Sequence, residues 1–258
     1  MGDQFYEDNG YYVARTVLPR SLVRTVGIYA ENTIRAYEGK LLRHKTGLLE
    51  VNEFVPSTNI VCNSPFNPHL TLPEELSELR TALCDLITAD SIGQTLHKLD
   101  GVAHYVIAQT ILFITAQNTD WHIDGWAVDM DARPHDGHTL WIPLEDMAHT
   151  SGIPAVAAWP RKHLVSEESL GIDPTLSVRE RYDRYHDTFN KRLLAKSPQV
   201  VSAVLRAGDF MVWAPLTPHC SLPPLDPQKT RLSLQVLVRP AKDADATRMT
   251  DWFSFLNL

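Results

Sequence analysis

The chain has 258 residues, 44% of them hydrophobic and 21% charged, with a net charge of −7. That composition excludes a disordered chain, and the negative balance gives no drive toward nucleic acid or an anionic membrane. Cys62, Cys84 and Cys220 are odd in number and far apart, which excludes a disulfide framework and a thiolate zinc site and fits a reducing, cytoplasmic setting.

The polar, acidic N-terminus has no apolar core of a signal peptide. The longest apolar run, residues 102–116, contains His104 and Gln109 and is too short to span a bilayer. Pro19 opens a helical stretch with apolar positions at Leu22, Val26, Tyr29 and Ile34 and a stop at Gly39. A second helix follows Pro73, with Leu76, Leu79, Leu83 and Leu86 on one face.

From about residue 103 the pattern shortens. VIAQTILFITA, WHIDGWAV, HTLWIPLED, IPAVAAW, VVSAVL, DFMVWAP, HCSL and RLSLQVLVR read as eight short strands of a sandwich or barrel. Residues 161–198 interrupt them. Within that interruption a helix carries Tyr182, Tyr185 and Phe189 on one face, and it lies either over the barrel mouth as a lid or against the outside. No repeat or linker divides the chain. It reads as one domain: helices to about residue 100, a β core over about 103–240, and the 161–198 insertion between the fourth and fifth core strands.

The stretch TDWHIDGW places His122 and Asp124 two apart. On an extended strand such positions face the same way, so an imidazole and a carboxylate can meet one metal ion. His219 ends a later strand and Arg231 begins the next, and the proline-rich connection between them suggests an antiparallel pair. In RLSLQVLVR the polar Arg231, Ser233 and Gln235 alternate with Leu232, Leu234 and Val236. Either set could face a cavity, because a slip of one residue reverses the assignment. Two histidines and a carboxylate on one side of a ferrous ion form the facial triad of non-haem oxygenases. Arg, with its planar fork, suits the far carboxylate of an oxoacid co-substrate.

In order along residues 109–239, QTILFITAQ, HID, LWIPLED, GDFMVWAPLTPH and TRLSLQV resemble the phytanoyl-CoA dioxygenase family of Fe(II)/2-oxoglutarate oxygenases. The resemblance implies a mainly β (α+β) fold, a double-stranded β-helix or jelly-roll barrel with flanking N-terminal helices. It implies iron held by His122, Asp124 and His219, and 2-oxoglutarate clamped by Arg231. Ser221 and Trp141 stand where the family places further co-substrate contacts, Gln109 and Ile111 lie on a strand that lines the same pocket, and Ser233 shares the face of Arg231. With O2 as oxidant, the implied reaction is oxidation, foremost hydroxylation, of an unactivated C–H bond in a small-molecule metabolite, as in natural-product biosynthesis. Asp124 is intact, whereas related halogenases carry Gly or Ala there. The family's Pro-Gly-Ser-His segment reads WPRKHL here, which leaves the substrate open.

His135 and His138, in RPHDGH, read as an exposed turn. Arg161, Lys162 and His163 read as solvated charge or as contacts to an anionic substrate. Trp121, Trp126 and Trp213 read as packing, and His104 as structural. A zinc or manganese hydrolase or isomerase on a cupin-like barrel would also use His-x-Asp…His, but it has no need for Arg231 and Ser221. A catalytically inactive binding subunit would not need the intact triad. The protein is expected as a monomer or homodimer acting on a small molecule, with no nucleic-acid or membrane partner.

Overall fold

A computed structural model describes residues 3–126, 136–196, 198–226, 228–241, 246–248 and 252–256. The N-terminal part begins with α1 (Gln4–Asn9), β1 (Tyr11–Ala14), α2 (Arg20–Ala36) and the short hairpin β2 (Leu41–Leu42) and β3 (Leu49–Glu50). It continues with α3 (Pro68–Thr71), α4 (Ser77–Ile87) and α5 (Asp90–Asp100). The β part holds β4 (Tyr105–Phe113), β5 (Thr119–His122), β6 (His138–Pro143) and β7 (Pro154–Ala157). After α6 (Val178–Ala195) come β8 (Val200–Val201), β9 (Phe210–Trp213), β10 (His219–Ser221), β11 (Ser233–Pro240), β12 (Ala246–Arg248) and β13 (Phe253–Leu256).

Each of the eight expected stretches carries a strand, although WHIDGWAV does so only through His122 before a 3-10 turn and VVSAVL only at Val200–Val201, and α6 falls between β7 and β8. Among the described residues they form two separate sheets and not a closed barrel. One has seven strands in the order β1-β9-β6-β11-β4-β13-β12, and the other four in the order β5-β10-β7-β8. The sheets face each other. Trp141, Met211 and Trp213 of the larger sheet share one apolar cluster with Val156 and Val201 of the smaller. Strands β10 and β11 are not paired, as the sequence suggested, because both edges of each are already taken. β10 lies between β5 and β7, and β11 between β4 and β6.

The other face of the large sheet carries the main core, where Leu232, Leu234 and Val236 meet the helices. α4 buries Leu79, Leu83 and Leu86, as its spacing predicts. α2 buries Val23, Val26, Gly27, Ala30 and Ile34, whereas Leu22 and Tyr29 face solvent. The inward face is rotated because α2 approaches the end of β6 closely. A Cβ on Gly27 would lie 2.4 Å from the Leu144 carbonyl oxygen. The helix stops at Ala36, before Gly39.

His138 is fully buried, which corrects its reading as part of an exposed turn; His135 lies outside the described residues. Gly137, at φ 116°, ends the turn, and a Cβ there would lie 2.5 Å from the Val238 carbonyl. β6 therefore starts at His138, and the pleat sends this side chain to the helix side of the sheet. There its Nε2 donates to Asp100 Oδ2 (2.7 Å), and its Nδ1 accepts from the Tyr6 hydroxyl (2.6 Å). Arg161 is also buried, neither solvated nor at a ligand site. Its guanidinium bonds Glu7 (2.7 Å) and lies 3.4 Å from Asp100. Lys162 and His163 are exposed.

Burial lowers the pKa of His138 from 6.5, against the pull of Asp100. Burial on its own would raise Asp100, but hydrogen bonds from His138 and Tyr105 outweigh it and hold the carboxyl at about 2. Both folded values lie below the unfolded ones. Both contributions are therefore complete above pH 6.5, and they fade as pH falls through the folded values. Urea denaturation should show stability falling continuously from neutrality toward pH 2. Tyr6→Phe should cost about 1–3 kcal/mol at pH 7 by leaving His138 Nδ1 without its donor.

Candidate active site

Between the two sheets lies a cavity of about 660 Å3. His122, Asp124 and His219 meet in its wall, with one ligand atom from each within 4.8 Å of the others. The local pair does not converge by the strand pleat. β5 ends at His122, and Asp124 starts the 3-10 turn Asp124–Trp126. The turn is pinned by the Gly125 amide, which donates to the Pro215 carbonyl at 2.9 Å. His219 lies opposite His122 across the β5–β10 pair, with the rings 4.2 Å apart.

The backbone sets the tautomer of each histidine. His122 Nδ1 is 2.8 Å from the Asp120 carbonyl, and His219 Nδ1 is 3.0 Å from the Thr217 carbonyl. A carbonyl only accepts, so each Nδ1 carries hydrogen and each Nε2 is left for a metal. Burial, then the neighbouring His219, lowers His122 to about 4, which keeps it neutral at physiological pH. Asp124 Oδ2 accepts from the Thr139 hydroxyl (2.6 Å) and from the Trp213 indole N–H (2.9 Å). Its Oδ1 lies 3.4 Å from His219 Nε2. Burial would raise Asp124, but His219 and these bonds hold it well below the usual carboxylate range. Burial would lower His219, and Asp124 reverses that into a rise.

Arg231 is 2% exposed and stands just before β11. Its Nη1 donates to the Gly152 carbonyl (2.8 Å) and to Ser221 Oγ. Its Nε is buried without a hydrogen-bond partner, and among the described residues no carboxylate pairs with it. Burial alone lowers its pKa to about 10, so it stays a cation. The guanidinium carbon sits 5.2 Å from the Phe113 ring centre and 6.0 Å from that of Trp141. This is a buried positive charge beside a cavity, with donors to spare for a planar anion.

Gln109, Ile111, Trp141, Ser221 and Gln235 also line the cavity, which decides the alternation of β11 in favour of the polar face inward. Ser233 is fully buried, with its Oγ against the Arg231 carbonyl and not on the lining. Trp213 does more than pack, since it holds Asp124. Trp121 packs and lines the cavity, and His104 bonds Ser254 at 3.2 Å.

No local motif points to His44, which lies on a loop of the N-terminal part yet lines the cavity. Its ring lies 6.3 Å from that of Phe113. α6 borders the same space through Tyr182, Asp183, His186, Asp187 and Asn190, so the insertion lies at the cavity. Its other face, Tyr185, Phe189 and Leu193, packs with Trp159, Leu170 and Leu216.

The family model for phytanoyl-CoA dioxygenase matches residues 6–228. The chain is 23% identical over 261 residues to 1-deoxypentalenic acid 11-beta-hydroxylase of Streptomyces exfoliatus, spanning 93% of this chain and 80% of that one. Its structure is similar to that of the epimerase SnoN from nogalamycin biosynthesis, solved with Fe3+, alpha ketoglutarate and nogalamycin RO. The TM-score is 0.62 at 15% identity, covering 98% of this chain and 93% of that one. It is also similar to EctD from S. alaskensis, solved with 2-oxoglutarate and 5-hydroxyectoine. There the TM-score is 0.59 at 16% identity, covering 91% and 73%. The chain belongs to the phytanoyl-CoA dioxygenase family and is an oxidoreductase. Among the described residues no helix is long and apolar enough to cross a membrane.

Trp213→Phe keeps an aromatic side chain but removes one of the two donors to a buried carboxylate oxygen. Hydrogen bonds to charged groups contribute about 1.5–3 kcal/mol. The variant should lose stability in that range by denaturant titration, measured without added metal.

Proposed function

We propose that this member of the phytanoyl-CoA dioxygenase family is an Fe(II)- and 2-oxoglutarate-dependent oxygenase that hydroxylates an unactivated C–H bond of a small-molecule metabolite. Arg231 is the observation that carries this assignment. A buried cation with an unpartnered donor, on the cavity that also holds a His-Asp-His cluster, needs an anionic ligand. A metal hydrolase would give such a group nothing to bind.

His122 Nε2, Asp124 and His219 Nε2 would hold the iron, and the residues fit it. Two imidazoles whose Nε2 atoms are turned from the backbone carbonyls, and one ionised carboxylate, suit a divalent ion, and all three are oriented by bonds to their other polar atoms. Arg231 and Ser221 would take the distal carboxylate of 2-oxoglutarate, with Trp141, Gln109 and Ile111 along its flank. When bound, iron, 2-oxoglutarate and O2 supply the oxidising power, with succinate and CO2 as co-products. The chain's part is placement. Thr139 and Trp213 fix the Asp124 carboxylate, the apolar clusters on either side limit water, and α6 bounds the space left for the substrate. The described sheets are read as the eight-stranded double-stranded β-helix of one catalytic domain. The named relatives in hydroxylation and nogalamycin biosynthesis support a natural-product substrate.

Removing one partner of a buried charge pair costs about 3–5 kcal/mol. Arg231→Ala should therefore weaken 2-oxoglutarate at least a hundredfold in a calorimetric titration of the manganese-loaded protein, with metal affinity nearly unchanged. Arg231→Lys should recover part of the loss, because it restores charge without the planar fork. Normal binding by the alanine variant would refute the co-substrate assignment.

His219→Ala should lose stoichiometric iron and all succinate production from 2-oxoglutarate. Full iron content with full turnover would remove His219 from the metal site.

A further inference from the structure

The wall that α6 gives to the cavity differs from the rest in its hydrogen-bonding state. Tyr182, His186 and Asn190 recur at the four-residue spacing that places side chains on one helical face. His186 is 9% exposed. Its Nδ1 is 3.0 Å from the Tyr182 carbonyl, so this nitrogen carries the hydrogen and Nε2 is left as an acceptor. Nε2 is buried and has no hydrogen-bond partner. One turn further, Asn190 Oδ1 is also buried and without a partner. Two unpaired acceptors side by side, buried on a cavity wall, are destabilising in the free protein and are completed by a ligand that donates.

The charges on this side point the same way. Asp120, Asp183 and Asp187 line the cavity as exposed carboxylates, and the latter two face Arg179 and Lys191 on the same helix. Arg231 is the only Lys or Arg among the described lining residues. A phosphate, or the polyanionic carrier of an acyl thioester, finds no cation among the described α6 residues that line the cavity, and Arg179 and Lys191 behind them are already paired with carboxylates.

We propose that the substrate is a small, non-anionic molecule bearing a hydroxyl or an amine. His186 and Asn190 would select it by accepting hydrogen bonds from that group. This rests on the assignment of the cavity to an oxygenase and adds the substrate's chemistry to it. A site built to bind a donor rejects the analogue lacking it far more strongly than an apolar pocket rejects a changed methylene.

The test compares wild type with His186→Leu and Asn190→Leu. The probes are hydroxylated and amine-bearing metabolites, their deoxy or desamino analogues, acyl-CoA thioesters and sugar phosphates. Substrate-stimulated succinate release is read with iron and 2-oxoglutarate present, and Tm is read without substrate. A donor-bearing probe should stimulate wild type, and its analogue should be at least a hundredfold poorer. Each leucine variant should raise KM for the donor-bearing probe at least tenfold and narrow its advantage over the analogue. The variants' affinity for 2-oxoglutarate should stay within twofold of wild type, and Tm should hold or rise, because unpaired acceptors have been removed. A fall in Tm of several degrees, or failure to fold, would show that the protein itself satisfies these groups, for His186 through the other tautomer with Nε2–H donated to the Ile123 carbonyl, and would overturn the proposal. Stimulation by thioesters or phosphates alone, or by no donor-bearing probe, would also overturn it. In that case Arg231-dependent 2-oxoglutarate binding would leave the oxygenase assignment standing.

Discussion

The buried carboxylate of Asp124 is the group on which the site's geometry depends. It sits in a 3-10 turn just after a strand of the small sheet. Its Oδ2 is held by Thr139 and Trp213, which belong to adjacent strands of the large sheet, and its Oδ1 faces His219 of the small sheet. A buried anion must be matched by donors or a cation. Satisfying this one therefore fixes the spacing of the two sheets where the cavity opens. It also fixes which way His219 and the turn after His122 point.

β6 serves two regions at once because its side chains alternate. Thr139 turns to the cavity and steadies Asp124. His138 turns the other way and joins Tyr6 and Asp100 under the N-terminal helices. Arg161, just after β7, reaches the same buried network through Glu7 and Asp100. The helical N-terminal part is thereby tied by directional polar contacts to the strand that orients the carboxylate, and not by apolar packing alone.

The cavity is electrically divided. Near Arg231 it offers a buried cation with spare donors. Near α6 it offers unpaired acceptors and exposed carboxylates. An anion is favoured near Arg231 and disfavoured beside the carboxylates of α6, so one space without a partition holds two distinct electrostatic environments. α6 can hold its polar face there because its apolar face, Tyr185, Phe189 and Leu193, is anchored in a separate cluster.

Local chemistry made the strands, the α4 face, and the candidate ligands His122, Asp124, His219 and Arg231 legible in the sequence. Strand alternation and short motifs are properties of neighbouring residues, and the motif order carried the family. The burial of His138 and Arg161 was not legible, because their partners Tyr6, Glu7 and Asp100 are distant in sequence, and flanking Pro and Gly mimic a surface turn. The separation of β10 from β11 was hidden for a similar reason. A hairpin-like connection suggests pairing, but the edges of both strands are claimed by others. Which face of β11 looks inward, and that α6 borders the cavity, were decided only when two sheets and a distant helix enclosed one volume. Periodicity names the two faces of an element, and only tertiary packing says what each of them meets.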